Sequence, residues 1–126
     1  MELSTPIRDL LAGYYEGFER KKDWESFLSD DFRFTGGDMT HTDPQAGKAA
    51  YRDVIQRFSR LYTGMRVSQI LVEGDQAFVI ANYDYVLPNG KKISGDVGEY
   101  WKAKGGKLTE LRIFFDTAWF INNSKT

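Results

Sequence analysis

Apolar residues recur along this chain with two different periods, and the change from one to the other divides it. Ile7, Leu11, Tyr14 and Phe18 follow one another at helical spacing, with Leu10 and Tyr15 widening the stripe. Thr5 and Pro6 precede them as a start signal, a capping hydroxyl followed by a proline suited to the first helical position. The run "KKD" breaks the pattern, and Asp23 is placed to cap a shorter helix carrying Trp24, Phe27 and Leu28. "DFRFT" alternates as a short strand and ends at Gly36-Gly37. Gly36 to Gly47 is the longest irregular stretch and reads as a surface loop. Tyr51, Val54, Ile55, Phe58, Leu61 and Tyr62 mark another amphipathic helix, which Gly64 helps to end.

From Val67 onward the period is two. "VSQILVE", "QAFVIANYDYVL", "KKISGDVGEYWKA" and "KLTELRIFFDTAWF" read as four strands joined at Gly74-Asp75, Pro88-Asn89-Gly90 and Gly105-Gly106. Helices first and an antiparallel sheet second give an α+β fold, with one sheet face buried on the helices. If the sheet curls around the helical layer it encloses a cone or pocket, and Gly95 and Gly98 offer places to bend. Repeats and linkers are absent, so residues 1–126 read as a single domain.

Composition narrows the function. A length of 126 residues with 41% hydrophobic and 28% charged content suits a folded domain with one core. The formal net charge of -1 supplies no general attraction for nucleic acid or an anionic membrane. Without cysteine there is no disulfide, thiolate nucleophile, iron-sulfur cluster or thiolate zinc site, and the lone His41 builds no polyhistidine metal centre. Asp38, His41 and Asp43 offer oxygen and nitrogen ligands in one loop but no recognised metal geometry. "GGKLTE" is a hairpin and lacks the spacing of a phosphate loop. The N-terminus has neither the basic start nor the apolar core of a secretion signal, and no apolar run approaches a membrane span. The expectation is a cytoplasmic protein that needs no metal or cofactor.

Three stretches carry a resemblance. "YYEGFERKKDWESFLSDDFRF" is similar to the opening helices and first strand of the ketosteroid isomerase-like, or SnoaL-like, branch of the NTF2-like superfamily. "GKAAYRDVIQRF" resembles its third helix, and "GEYWKAKGGKLTELRIFFD" its closing hairpin. The resemblance implies a cone-shaped fold in which N-terminal helices pack on a curved antiparallel sheet around a ligand pocket. It also implies a homodimer, made here through the outer sheet face. The activities of the branch include double-bond isomerisation, polyketide cyclisation, epoxide hydrolysis and noncatalytic binding, and fold alone does not choose among them.

The residues depart from the best-known chemistries. In a ketosteroid isomerase an aspartate moves a proton while a tyrosine and a protonated aspartic acid stabilise the enolate oxygen. Tyr15 matches that tyrosine, with Tyr14 one place away. The base aspartate falls near Gly36 rather than at Asp38, and the oxyanion aspartate falls at Gly98, with Asp96 two residues earlier. For an epoxide hydrolase, Ile113 stands where the closing phrase carries its inner acid, and Asp116 is only its outer one.

Residues of equal parity on a strand share a face, so Asp96 goes with Gly98 and Tyr100, either into the pocket or, opposite a buried Val97, to solvent, and the functional reading takes the pocket. Glu99 and Trp101, of the opposite parity, are then expected on the outer sheet face. Val79, Ala81, Tyr83 and Tyr85 form one face of their strand and suit a pocket wall with polar handles, and Ile113 and Phe115 line the inner face. On this reading the catalytic candidates are Asp96, Tyr15 and Asp38. Tyr14, Val79, Ala81, Tyr83, Tyr85, Gly98, Tyr100, Ile113 and Phe115 surround a small apolar or amphipathic ligand. Three functions stay open: ligand binding with isomerase-, cyclase- or lyase-like acid-base activity, a noncatalytic binding or dimerisation module, and a ketosteroid isomerase with a rearranged catalytic set.

Overall fold

A computed structural model describes residues 6–36 and 45–124. The elements run α1 (Ile7–Glu19), a short 3-10 turn (Glu25–Phe27), β1 (Leu28–Thr35), β2 (Gln45–Ala46) and α2 (Lys48–Phe58). Then come β3 (Tyr62–Glu73), β4 (Gln76–Val86), β5 (Lys92–Lys104), β6 (Lys107–Phe114) and α3 (Thr117–Ser124). The sheet order is β2-β1-β6-β5-β4-β3. Consecutive strands from β3 to β6 pair antiparallel, and β1 lies parallel to β6, which makes the sheet mixed.

The apolar stripe of α1 is buried from Ile7 to Phe18. Its end shows why "KKD" stops the helix. The Lys22 amide donates to the Gly17 carbonyl at 2.9 Å and the Lys21 amide to that of Phe18 at 3.1 Å, a Schellman closure. Lys21 takes the left-handed conformation usually left to glycine, with φ 60°. Its ammonium offsets that strain by donating to the Ser59 and Tyr62 carbonyls at 2.6 and 2.7 Å. The side chain thereby ties the end of α1 to the junction of α2 and β3.

Several local expectations change. Pro6 occupies the cap of α1 rather than its first turn, while Thr5 lies outside the described residues. Asp23 adopts φ 62° in a turn and caps no helix. Gly64 belongs to β3, which starts at Tyr62, and does not end α2. The last strand stops at Phe114, because Asp116 accepts the Trp119 amide at 2.9 Å and so caps the unexpected α3.

Gly105 and Gly106 both have positive φ, 62° and 77°, which a two-residue hairpin turn with primed geometry requires. The sheet's register shifts lie in β1 between Leu28 and Arg33, in β3 and near Lys102, not at Gly95 or Gly98. Those two glycines make room for rings on opposite faces. A Cβ at Gly95 would come within 2.7 Å of the Trp119 ring, and one at Gly98 within 2.8 Å of Phe78. The core is aromatic: the Tyr14 ring meets Tyr15 edge-on at 5.0 Å and Trp101 at 4.7 Å, and Phe18 stacks on Tyr62 at 5.4 Å. No helix among the described residues is long and apolar enough to cross a membrane.

Candidate functional site

The inner face of β5 is the reverse of the expected one. Ile93, Val97, Glu99, Trp101 and Ala103 turn inward or are buried, whereas Ser94 and Asp96 are exposed. The reason is burial: Val97, Trp101 and Ala103 share a parity, and hiding an indole outweighs any arrangement that hides Asp96 and exposes it. Asp96 accepts a hydrogen bond from the Asn82 amide at 3.0 Å on the outer face. Gly98 lies against Phe78 there, and the Tyr100 hydroxyl donates to Gln76. All three leave the pocket. Asp38 and His41 lie outside the described residues.

Glu99 takes the inward place and is 3% exposed. On β4 its cross-strand neighbour is Val79, with Ala81 and Tyr83 further along the same buried face. Tyr15, from the middle of α1, donates its hydroxyl to Glu99 Oε1 at 2.8 Å. Tyr83 reaches the same oxygen at 3.5 Å. The Trp101 indole N–H donates in turn to the Tyr15 hydroxyl at 2.9 Å, so indole, phenol and carboxyl form a chain. Both phenols use Oε1, and no donor or acceptor among the described residues reaches Oε2. That oxygen is not sealed in the core either, since no partnerless buried polar atom occurs among the described residues. It faces the cavity.

The cavity has a volume of about 180 Å³ and lies between α2 and the inner sheet. Tyr83, Tyr85, Ile113 and Phe115 line it, as does Glu99. Phe58 closes one side with its ring 5.3 Å from that of Tyr83, and Arg57 stands on the same helix turn. Tyr14, Val79 and Ala81 are fully buried in the packing behind it, and Tyr14 shares a 2.6 Å hydroxyl contact with Tyr51.

Burial pushes the Glu99 carboxyl up to about 7 from an ordinary 4.5, against the lowering effect of the Tyr15 and Tyr83 hydroxyls. Tyr14, Tyr15, Tyr51 and Tyr83 are all pushed well above the usual phenol range, first by burial and then by neighbouring groups, Glu99 among them. The phenols therefore stay neutral donors around an acid that gains and loses its proton near neutrality. Such a group serves as acid or base at physiological pH. Glu99 was nevertheless readable from its strand: an acid on the parity of Val97, Trp101 and Ala103 is a charge among buried apolar residues. No group of three or more His, Asp or Glu side chains among the described residues could hold a metal ion.

A family model described as a SnoaL-like domain matches residues 11–111. No curated protein matches the sequence. Among solved structures, the chain is similar to TerC co-crystallised with polyporic acid, at 19% identity and a TM-score of 0.82, covering 97% of this chain and 100% of that one. An NTF2-like protein of unknown function from Burkholderia pseudomallei aligns at 18% identity and a TM-score of 0.81, covering 97% and 99%. A candidate polyketide cyclase from Xanthomonas campestris pv. campestris aligns at 20% identity and 0.74, covering 94% and 96%. At these identities the likenesses establish a shared fold, the cone of helices on a curved sheet.

Proposed function

The chain belongs to the SnoaL-like family, and from that premise we propose that its cavity binds a small apolar or amphipathic molecule through the Glu99 carboxyl. The observation that carries this reading is a buried acid with one oxygen held by two phenols and the other turned toward an apolar cavity. In its catalytic form the reading is a cofactor-independent isomerase or cyclase. Ionised Glu99 takes a proton from a carbon next to a carbonyl, and the acid so formed returns it at another atom. Tyr15 and Tyr83 hold the carboxylate while it is charged. Similarity to a candidate polyketide cyclase and to a protein crystallised with polyporic acid supports an organic ligand with carbonyl-like oxygens.

The wider reading is one cytoplasmic domain over residues 1–126 that pairs with a second copy through the outer sheet. Leu71, Phe78, Ile80, Tyr100 and Phe114 lie there on neighbouring strands, and Leu71 is 68% exposed.

The test is carbon-13 NMR of the side-chain carboxyls against pH, with 2-cyclohexenone as probe and Glu99→Gln as the assignment. A midpoint near 7 that moves on adding the enone is expected, and Asp96→Asn should leave both midpoint and binding unchanged. Deuterium entering the enone's ring carbons from heavy water, and lost in Glu99→Gln, selects the catalytic form. Binding without exchange selects the noncatalytic module. A Glu99 midpoint near an ordinary 4.5 that ignores the enone overturns the proposal.

A further inference from the structure

The hydrogen bonds around Glu99 fix which of its oxygens carries the acid proton, and that restricts the ligand. The Trp101 indole N–H can only donate, so the Tyr15 hydroxyl that accepts it at 2.9 Å has one acceptor for its own hydrogen, Glu99 Oε1 at 2.8 Å. Tyr83 donates to the same oxygen at 3.5 Å. Oε1 is therefore the carbonyl oxygen of the neutral acid, and the proton sits on Oε2, toward the cavity. Protonated, Glu99 offers a ligand a donor. Ionised, it offers only an acceptor.

The groups around it keep one state through that change. Tyr14 and Tyr15 of α1, Tyr51 of α2 and Tyr83 and Tyr85 of β4 interact with the carboxyl, and burial pushes each of these phenols above its usual range. On β6 the cross-strand neighbour of Glu99 is Ile113, which carries no charge. Arg57 of α2, also in the cavity wall, is a fixed cation paired with Asp53 at 3.3 Å and is assigned no role at the ligand.

Size and charge narrow the class. An apolar cavity of about 150 Å³ accepts one benzene ring. At about 180 Å³ this one has room for one six-membered ring with small substituents. A carboxylate ligand would meet the like charge of ionised Glu99, and an ammonium would bring three donors to a single open oxygen. A neutral ring is left. A ketone oxygen on that ring accepts hydrogen bonds and donates none, so it suits the protonated carboxyl and meets only lone pairs on the ionised one. An alcohol both donates and accepts, and suits either.

We propose that the cavity takes a neutral one-ring ketone, its oxygen accepting a hydrogen bond from the proton on Glu99 Oε2, and that ionisation of the carboxyl releases it. This rests on the reading of the cavity as a ligand site. The ionised carboxylate is the form able to take a proton from a ring carbon, so holding the carbonyl and moving a proton fall to opposite states of one group.

The experiment titrates cyclohexanone, cyclohexanol and the fused 2-decalone into the protein on either side of about 7, where Glu99 exchanges its proton, and follows the ligand signals and the Glu99 carboxyl by NMR. From about pH 6 to about pH 8 the affinity for cyclohexanone should fall about tenfold with the protonated fraction, and that for cyclohexanol should change less than about threefold. The ketone should also raise the Glu99 midpoint. Glu99→Gln, whose amide N–H stands in for the acid proton, should hold the ketone equally at both pH values. The decalone should bind about tenfold more weakly than cyclohexanone. Equal ketone binding at both pH values in the wild type overturns the inference, as does a fall that the alcohol shares or that survives Glu99→Gln. A decalone that binds most tightly, or a cavity that takes the alcohol and not the ketone, overturns it too. If a ring binds and moves the Glu99 signal in any of these cases, the ligand site stands and only the ketone assignment falls. If neither single ring binds at either pH, both fall together.

Discussion

The Tyr15 hydroxyl and the Glu99 carboxyl meet at 2.8 Å, one from the middle of the first helix and the other from the fifth strand. This bond joins the helical layer to the sheet at the point where the cavity reaches the core. Because Tyr15 also accepts the Trp101 indole hydrogen, its hydroxyl is satisfied in both directions. The carboxyl is thereby held in one orientation, with the other oxygen toward the ligand space.

Stability should carry the mark of this acid. Glu99 holds its proton up to about 7 in the folded protein and to about 4.5 as an ordinary glutamate, so between those values the folded state binds the extra proton. The stability this adds is complete below about 4.5 and is lost as pH rises through about 7. Glu99→Gln removes the slope. Across that window its stability relative to wild type should improve by up to roughly 3 kcal/mol, read from urea unfolding at a series of pH values. Parallel curves for the two proteins would show that Glu99 is not the desolvated acid described above.

Tyr15→Phe should be the more damaging of the two phenol deletions. It leaves the buried Trp101 N–H without its acceptor, a loss of about 1–3 kcal/mol, and takes the closer donor from Glu99. Since that donor lowers the carboxyl's value, the Glu99 midpoint should rise further. Tyr83→Phe breaks only a contact at 3.5 Å and should cost less than about 1 kcal/mol. Urea unfolding gives the energies and carboxyl NMR the midpoints, and a larger loss in Tyr83→Phe would reverse the assigned order.

The outer sheet offers a separate test. Phe114 is 54% exposed and sits opposite Gly98, next to the Phe78 and Tyr100 pair. Sedimentation equilibrium should find the wild-type protein dimeric at micromolar concentration and Phe114→Lys monomeric, with ligand binding in the cavity retained. A monomeric wild type would remove the proposed pairing and leave the cavity chemistry untouched.

Helix α1, most of α2 and the four long strands were legible because their periods are strong, whereas the expected helix at Trp24, Phe27 and Leu28 is only a 3-10 turn leading into β1. Ile7 to Phe18 repeats at helical spacing, and the apolar run Ala77–Ala81 passes into the alternating Asn82–Tyr85 to give a strand-length stretch. The inward face of β5 was misread for a different reason. Aligning Gly98 with a known acid position pulled Asp96 inward, although Lys92, Ser94 and Lys102 share its parity and prefer water. The apolar set of Val97, Trp101 and Ala103 gave the right face and carried Glu99 with it. The C-terminal helix was hidden because "FFDTAWF" is as apolar as a strand, and only Asp116 as a cap marks the change. The cavity itself depends on how far α2 stands from β4 and β6, a distance that no local pattern encodes.

The parallel pairing of β1 with β6 has a consequence for how the protein is made. Phe34 finds its strand partner in Leu111, so the first long strand emerges from the ribosome with its edge unpaired until almost the whole sheet has been synthesised. Loop closure over such a span is slow compared with the β3 to β6 hairpins, which form from neighbours. During that interval the apolar residues of α1 and β1 have nothing of the sheet to cover them. A stalled or shortened nascent chain ending before β6 is therefore a sticky product without a cavity, the kind of species that chaperones hold and proteases clear.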